Sequence, residues 1–181
     1  FKELKNTNIK EKSQLLYVSE PTKQVAQKSF GDADFWGFNE FEIAETLCEN
    51  LNIFQVNTIL IRLHPSDDRS KYNYLLKKYR DINIEIQNPY DKTLLHSIQE
   101  SKIVIGIDGF VLYEAMVLGK VSISYIPSDK RECFVPLYKP NIIKVINKKI
   151  KLSDFKSQQT INQVEDFGIA FDKAVEIILE K

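Results

Sequence analysis

The chain has 181 residues, of which 43% are hydrophobic and 28% charged, as in ordinary globular domains. Its 25 basic and 25 acidic residues cancel, so no overall positive field favours nucleic acid or an anionic membrane. No apolar run approaches the length of about 18 residues that a membrane-spanning helix needs, and no signal peptide is visible. Two distant cysteines and two histidines provide no zinc-ligand pattern, so we expect no metal site.

The predicted elements alternate along the chain. Short apolar or β-branched runs predict strands at 15–19, 58–63, 82–86, 103–107, 121–126 and 142–146. Apolar stripes of helical period predict helices at 39–51, 68–79, 91–101, 109–118 and 164–179. Asp91 is expected to cap the third helix, and Ser66-Asp67-Asp68 to start the second and cap its N-terminus. The aromatic-rich stretch 31–42 is expected to be mainly a loop, and 148–163 a surface connection.

This alternation predicts right-handed βαβ units. The expected fold is α/β, a Rossmann-like doubly wound domain with a mainly parallel six-stranded sheet. The domain spans residues 15–181 in this interpretation. Because the chain starts with Phe1 and not with Met, we expect a processed or shortened protein, with residues 1–14 as a linker from a missing N-terminal domain.

Polar residues follow four of the predicted strands. In open parallel sheets, ligands bind beyond the carboxyl ends of the strands, so these residues are the first site candidates. They are Ser19-Glu20-Pro21, His64-Pro65-Ser66, Gly106 to Gly109, and Pro127-Ser128-Asp129. We expect the topology to gather them along one edge of the sheet.

The strongest local pattern is "IVIGIDGFVLYEAMVLGK", in which a buried strand leads through a glycine turn into a helix. Asp108 and Gly109 leave room for a phosphate at the start of that helix, where free N–H groups and the helix dipole favour an anion. Glu114, inside the helix, could accept hydrogen bonds from ribose hydroxyls. The alternative is that Asp108 only caps the helix and Glu114 is solvated. The G-x-G-x-x-G and P-loop motifs are absent, which argues against hydride transfer and P-loop ATPase activity.

His64 stands at a strand end directly before proline, in "LIRLHPSDD". A residue before proline avoids the α region, so His64 is held in an extended conformation. Its imidazole could donate a hydrogen bond to a phosphate or protonate a leaving phosphate oxygen. The alternative is a histidine that only packs at the rim of the sheet.

Together, these motifs resemble the C-terminal, donor-binding half of a GT-B type glycosyltransferase. The likeness runs from about Leu15 to Tyr138. It is strongest to the bacterial sialyltransferases that build lipooligosaccharide and capsule, in which a strand-end His-Pro pair contacts a CMP-linked donor. His64-Pro65 matches that pair, whereas Asp108-Gly109 stands where those enzymes carry Ser-Ser or Ser-Thr. The Glu-Ala helix is also similar to that of UDP-sugar enzymes, in which the glutamate, here Glu114, meets the ribose.

The resemblance implies metal-independent, inverting transfer of a sugar to a bacterial surface glycan, with sialic acid from CMP-sialic acid as one candidate. His64 is the implied catalytic residue. The implied donor-binding residues are Ser19, Glu20, Pro65, Asp108, Gly109, Glu114 and Ser128. No cofactor is implied beyond the CMP- or UDP-linked sugar substrate.

The resemblance also implies that the acceptor binds through a missing N-terminal domain, so this chain alone is expected to be inactive. A cytoplasmic protein at the inner face of the bacterial membrane, with peripheral membrane association left open, is the implied setting. Two alternatives remain: an enzyme like UDP-N-acetylglucosamine 2-epimerase, and a non-catalytic α/β binding domain.

Overall fold

The structure is a computed structural model that describes residues 9–135 and 142–146. The predicted helix at 164–179, the predicted connection at 148–163 and the first eight residues of the predicted linker lie outside the described residues. The predicted domain start at residue 15 falls inside an element, because the first strand already includes Gln14.

Strands and helices alternate as the sequence predicts. The strands are β1 (Gln14–Val18), β2 (Thr58–Arg62), β3 (Asn83–Gln87), β4 (Ile103–Gly106), β5 (Val121–Ile126) and β6 (Ile142–Ile146). The helices are α1 (Thr22–Phe30), α2 (Glu40–Glu49), α3 (Asn73–Lys78), α4 (Leu94–Glu100) and α5 (Val111–Val117), with a short 3₁₀ turn at Leu51–Phe54.

The described strands form one parallel sheet in the order β3-β2-β1-β4-β5-β6. The chain runs outward from β1 to β3, then returns to the other side of β1 and continues from β4. This is the strand order of dinucleotide-binding Rossmann folds, whose ligand crevice lies where the order reverses. The prediction of an α/β, Rossmann-like fold is thus confirmed, and the reversal point lies between β1 and β4.

Side chains of the central strands alternate between two apolar layers, as the period of a strand requires. On one face, Leu15, Tyr17 and Ile59 belong to a core that includes residues of α2 and α3. On the other face, Leu16 and Leu60 pack in a second core with residues of α4 and α5. Helices therefore cover both faces, which explains why the β4 sequence is a continuous apolar run.

The structure corrects the predicted helix starts. The helix expected at 68–79 begins only at Asn73, and Asp68 instead accepts a hydrogen bond from the Ser70 N–H in a local turn. The helix expected at 91–101 begins at Leu94 and is capped by Thr93, not by Asp91. Asp91 instead accepts from the Asn88 N–H. In each case an Asp that could cap a helix closes the preceding turn, a use that sequence alone does not separate from capping.

No helix is predicted from the sequence at α1, because few of its residues are apolar: only Val25, Ala26 and Phe30. Its buried residues are Thr22 and Ala26. By contrast, α2 starts one residue after Asn39, whose side chain accepts from the N–H groups of Phe41 and Glu42 as an N-cap does.

Arg62, the last residue of β2, is a buried cation that holds a loop in place. Its guanidinium donates to the side chains of Gln87 and Ser97 and to the carbonyls of Pro89 and Lys92. Burial lowers the pKa of Arg62, and Asp91 acts in the opposite direction. Arg62, at the end of β2, therefore holds the loop that follows β3 through these hydrogen bonds.

Glu100, the last residue of α4, lies near the amino end of β1, whereas Arg62 lies at the carboxyl end of β2. Its carboxylate is 2.9 Å from the ammonium groups of both Lys12 and Lys92, and 3.6 Å from His96 Nε2. Burial acts to raise the pKa of Glu100, but the two lysines lower it to about 2. This ion-pair cluster ties the segment before β1 to α4.

Candidate functional site

The crevice at the reversal point brings together the exits of β1 and β4. Glu20 follows β1, and a Cβ added at Gly109, after β4, would lie 3.3 Å from Glu20 Oε1. The Arg131 guanidinium lies 2.9 Å from Asp108 Oδ1 and 3.5 Å from Glu20 Oε2. Two carboxylates therefore share one cation next to the glycine turn.

The electrostatics of this crevice disfavour an anion. Burial raises the pKa of Glu20; Arg131 acts to lower it, and the Asp108 carboxylate raises it further. The Asp108 side chain is 9% exposed, and within the described residues its Oδ2 atom has no hydrogen-bond partner. A phosphate over Gly109, as the sequence suggested, would meet both carboxylates.

Besides the β1 and β4 exits, the loop between α1 and α2 and the segment after β5 also border the crevice. Arg131 stacks over the Trp36 ring at 4.8 Å. Gly37 has a φ of +71°, and a Cβ there would lie 3.1 Å from Ser128 Oγ. Ser128 is buried, and its hydroxyl accepts from the Lys130 N–H. Its role in the structure is thus to close the loop after β5 against the loop before α2.

His64 lies at the exit of β2 in a turn built by its neighbours. The Asp67 carboxylate accepts from the His64 N–H at 2.9 Å, and the Asp67 N–H donates to the His64 carbonyl. The Ser66 N–H donates to His64 Nδ1 at 3.2 Å, with Ser66 Oγ at 2.7 Å from the same nitrogen. Since a backbone N–H can only donate, Nδ1 is an acceptor, and the neutral ring carries its proton on Nε2.

A buried polar network supports this turn from below. Ser19 Oγ lies 2.7 Å from the Tyr72 hydroxyl and 3.3 Å from Asp67 Oδ2. Lys71 Nζ bridges Asp67 Oδ1 at 2.7 Å and Glu40 Oε1 at 2.9 Å. The side chains of all three ionic partners are at least nine-tenths buried. Ser19 is therefore a supporting residue beneath the edge, because its hydroxyl bonds within the protein.

A shallow cavity of about 500 Å³ opens at this edge, between the exits of β1 and β2. Pro21 and Lys23 line it on one side, and Ser66 and Lys71 on the other. The Lys23 N–H, at the start of α1, already donates to Glu40 Oε2 at 2.9 Å. The volume lies in the range of small-ligand sites.

Phe110, just before α5, and Glu114, inside α5, lie on one side of that helix. Phe110 accepts at its carbonyl from the Glu114 N–H, so the two are one helical turn apart. Phe110 is 68% exposed, and its ring stacks on that of Tyr113 with centroids 5.8 Å apart. Glu114 is half-buried, and burial raises its pKa.

The predicted site residues thus fall into two groups, separated by β1. Glu20, Asp108, Gly109 and Ser128 surround the reversal-point crevice, and Glu114 lies one helical turn below the β4 exit. His64 and Pro65 lie at the β2 exit, over the buried Ser19. The predicted site residues do not include Trp36, Asp67, Lys71, Phe110 or Arg131. Asp67 and Lys71 carry a sequence signal, the i,i+4 spacing of opposite charges.

Among the described residues, no helix has the length and apolarity to cross a membrane. The same residues contain no group of three or more side chains able to hold a metal ion. Comparison of the chain with protein-family models, with curated proteins and with solved structures gave no match.

Proposed function

We propose that this chain binds a nucleotide sugar at the carboxyl edge of its sheet, as the donor-binding half of a GT-B glycosyltransferase. The observation that carries the proposal is the state of His64. Its Nδ1 is occupied by Ser66, so Nε2 carries the proton, and no group among the described residues bonds to Nε2. His64 does not itself line the cavity, but its hydrogen-bond partners Ser66 and Asp67 do. An imidazole N–H donor held beside a ligand-sized cavity in this way suits a phosphate oxygen.

The chemistry follows from that donor. When the sugar–phosphate bond breaks, negative charge develops on the departing phosphate, and a fixed N–H at that point stabilises the transition state more than the ground state. The turn made by Ser66 and Asp67 orients the imidazole before the donor arrives, so less freedom is lost on binding. His64 is the catalytic residue in this proposal, and Ser66 and Asp67 are positioning residues.

The finer parts of the proposal rest on the resemblance of the sequence motifs. They are a CMP- or UDP-linked donor, with sialic acid as one candidate sugar, and a bacterial surface glycan as acceptor. They also include an acceptor-binding domain outside this chain and work at the inner face of the bacterial membrane. Glu114 is assigned to the ribose in the same way.

The test is binding of nucleotides to the 181-residue chain. We expect CMP or UDP to raise the midpoint of thermal unfolding, because a ligand that binds only the folded state stabilises it. The His64→Ala variant should bind the same nucleotide about tenfold more weakly, as loss of one charge-assisted hydrogen bond predicts, whereas His64→Gln, which keeps an N–H donor, should lose less. If CMP, UDP and GDP all leave the midpoint of the wild-type chain unchanged, the proposal is wrong.

A further inference from the structure

The cavity between α1 and the turn after β2 holds polar groups that the proposed phosphate contact does not use. Gln24 lines it from α1, and Asp68 and Ser70 line it from the turn, and all three residues are exposed. Amide and hydroxyl groups can both donate and accept hydrogen bonds, and a carboxylate accepts them. The cavity therefore offers several hydrogen-bonding groups to the part of a ligand that is joined to a phosphate on His64.

Asp68 keeps one carboxylate oxygen without a partner among the described residues. Its Oδ1 accepts from the Ser70 N–H at 2.8 Å and from the Ser70 hydroxyl, whereas no described residue donates to its Oδ2. The hydrogen bonds from Ser70 hold the carboxylate in place and lower the pKa of Asp68, so the group is ionised at neutral pH. An ionised carboxylate can accept from two neighbouring hydroxyl groups of a sugar.

The buried part of the cavity wall carries a net negative charge. Glu40 and Asp67 share one cation, Lys71, and all three side chains are at least nine-tenths buried. At the exposed rim, the charges of Lys23 and Asp68 are opposite in sign. Water and salt screen the exposed charges, whereas they screen the buried ones much less. The cavity therefore disfavours a second anionic group on the ligand.

Neither an anion nor a nucleobase finds its usual partner in this cavity. The Lys23 N–H, at the start of α1, donates to Glu40 Oε2 at 2.9 Å, so a buried carboxylate already uses that donor. The aromatic lining residue, Phe41, has Lys71 Nζ 5.4 Å from its ring centroid and packs on Tyr72 at 5.7 Å. The protein itself thus engages the ring on which a base would stack. An uncharged group with hydroxyls fits these surroundings best.

We infer that this cavity holds the sugar of the donor, and that this sugar is uncharged and bears hydroxyl groups that donate to Asp68. The inference rests on the proposed function, because the sugar is joined to the phosphate on His64, and Ser66 and Asp67 connect His64 with the cavity. It narrows the candidate sugars, since an acidic sugar such as sialic acid would bring a carboxylate to the buried negative charge. Asp68 is then a specificity-determining residue.

The test is calorimetric titration of the 181-residue chain with pairs of nucleotide sugars that share a nucleotide and differ in the charge of the sugar. The pairs are UDP-glucose and UDP-glucuronic acid, GDP-mannose and GDP-mannuronic acid, and the methyl ester of CMP-sialic acid and CMP-sialic acid itself. The nucleotide that raises the unfolding midpoint selects the pair. The member with the uncharged sugar should bind about fivefold more tightly, as repulsion by one net buried charge predicts.

Variants of Asp68 separate a sugar contact from a structural role. Asp68→Ala should weaken binding of the uncharged member about fivefold, as loss of one hydrogen bond predicts, and leave the free nucleotide within about twofold of wild type. Distortion of the turn would weaken both ligands alike, because the same turn holds Ser66 and Asp67. Asp68→Lys should reverse the preference within the pair. Asp81→Ala is the matched control, because Asp81 is also exposed but precedes β3, at the amino edge of the sheet.

Three results would overturn the inference while the proposed function stands. The first is an acidic member that binds the wild-type chain at least as tightly as the uncharged member. The second is an Asp68→Ala variant that binds the uncharged member as tightly as Asp81→Ala does. The third is an equal loss of nucleotide and nucleotide sugar in Asp68→Ala. A wild-type chain that binds no nucleotide overturns both proposals.

Discussion

Replacing Lys71 by methionine should destabilise the fold strongly, because it removes a buried cation from two buried carboxylates. Lys71 Nζ is 2.7 Å from Asp67 and 2.9 Å from Glu40, and its side chain is 9% exposed. Methionine keeps most of the apolar stem, so little of the effect comes from lost volume. Removing one partner of a buried ion pair costs about 3–5 kcal/mol. Both carboxylates keep a backbone N–H donor, from Lys23 and His64, so we expect a loss at the lower end, about 3 kcal/mol.

Lys78→Met provides a matched control with the same change in charge and side chain. Lys78 also pairs with a carboxylate, that of Glu45 at 2.8 Å. It lies over the Tyr79 ring, as Lys71 lies over the Phe41 and Tyr72 rings. The difference is exposure, since the Lys78 and Glu45 side chains are 46% and 30% exposed. An exposed pair contributes far less to stability than a buried one, because water and salt screen its charges. Urea unfolding at about pH 7, followed by circular dichroism, gives both free energies of unfolding. If they agree within about 0.5 kcal/mol, the Lys71 network does not support the fold as described.

Two further outcomes follow from the geometry. In thermal unfolding, Gly37→Ala should destabilise the protein more than Gly31→Ala does. Both glycines have a positive φ, so both substitutions strain the backbone. Only at Gly37 would the new Cβ also press against Ser128 Oγ, at 3.1 Å. Glu100 should stabilise the fold above about pH 4.5, its ordinary pKa, and lose that contribution as the pH falls toward its folded pKa of about 2. In urea unfolding, the advantage of wild type over Glu100→Gln should therefore be constant from about pH 5 to 7 and vanish near pH 2; an advantage that persists there would contradict the ion-pair assignment.

The strands were easier to predict from the sequence than the helices, for a physical reason. A buried parallel strand such as β4 must be apolar on both faces, and a short β-branched run bounded by polar residues is typical of little else. Helix α1 buries only Ala26 and Thr22, and its larger apolar residues Val25 and Phe30 are exposed, so its sequence does not indicate a helix packed on the core. Its position depends on contacts that no local pattern encodes, such as the bond from the Lys23 N–H to Glu40.

The candidate site was predictable only in part. The rule that ligands bind beyond the carboxyl ends of parallel strands located the edge, and the strand order placed Glu20 against the Asp108-Gly109 turn. Arg131 could not be found in this way, because nothing local distinguishes it from the other cations of a polar loop. Its importance comes from Asp108, 23 residues earlier in the chain, and from Glu20, which precedes the first helix.

Contrary to the prediction from the sequence, the acidic residues after His64 do not cap a helix, but they do belong to the candidate site. The sequence favoured a helix cap for residues 66–68, whereas Asp67 turns back to bind the His64 N–H. Pro65 removes one backbone donor from this turn, and the Ser66 N–H then reaches Nδ1 of the ring. The tautomer of His64 is thus set by the two residues that follow it. Lys71 holds the same Asp67. The stability of the buried network and the orientation of the His64 imidazole therefore both depend on the Lys71–Asp67 ion pair. Lys71→Met should therefore weaken nucleotide binding as well as the fold.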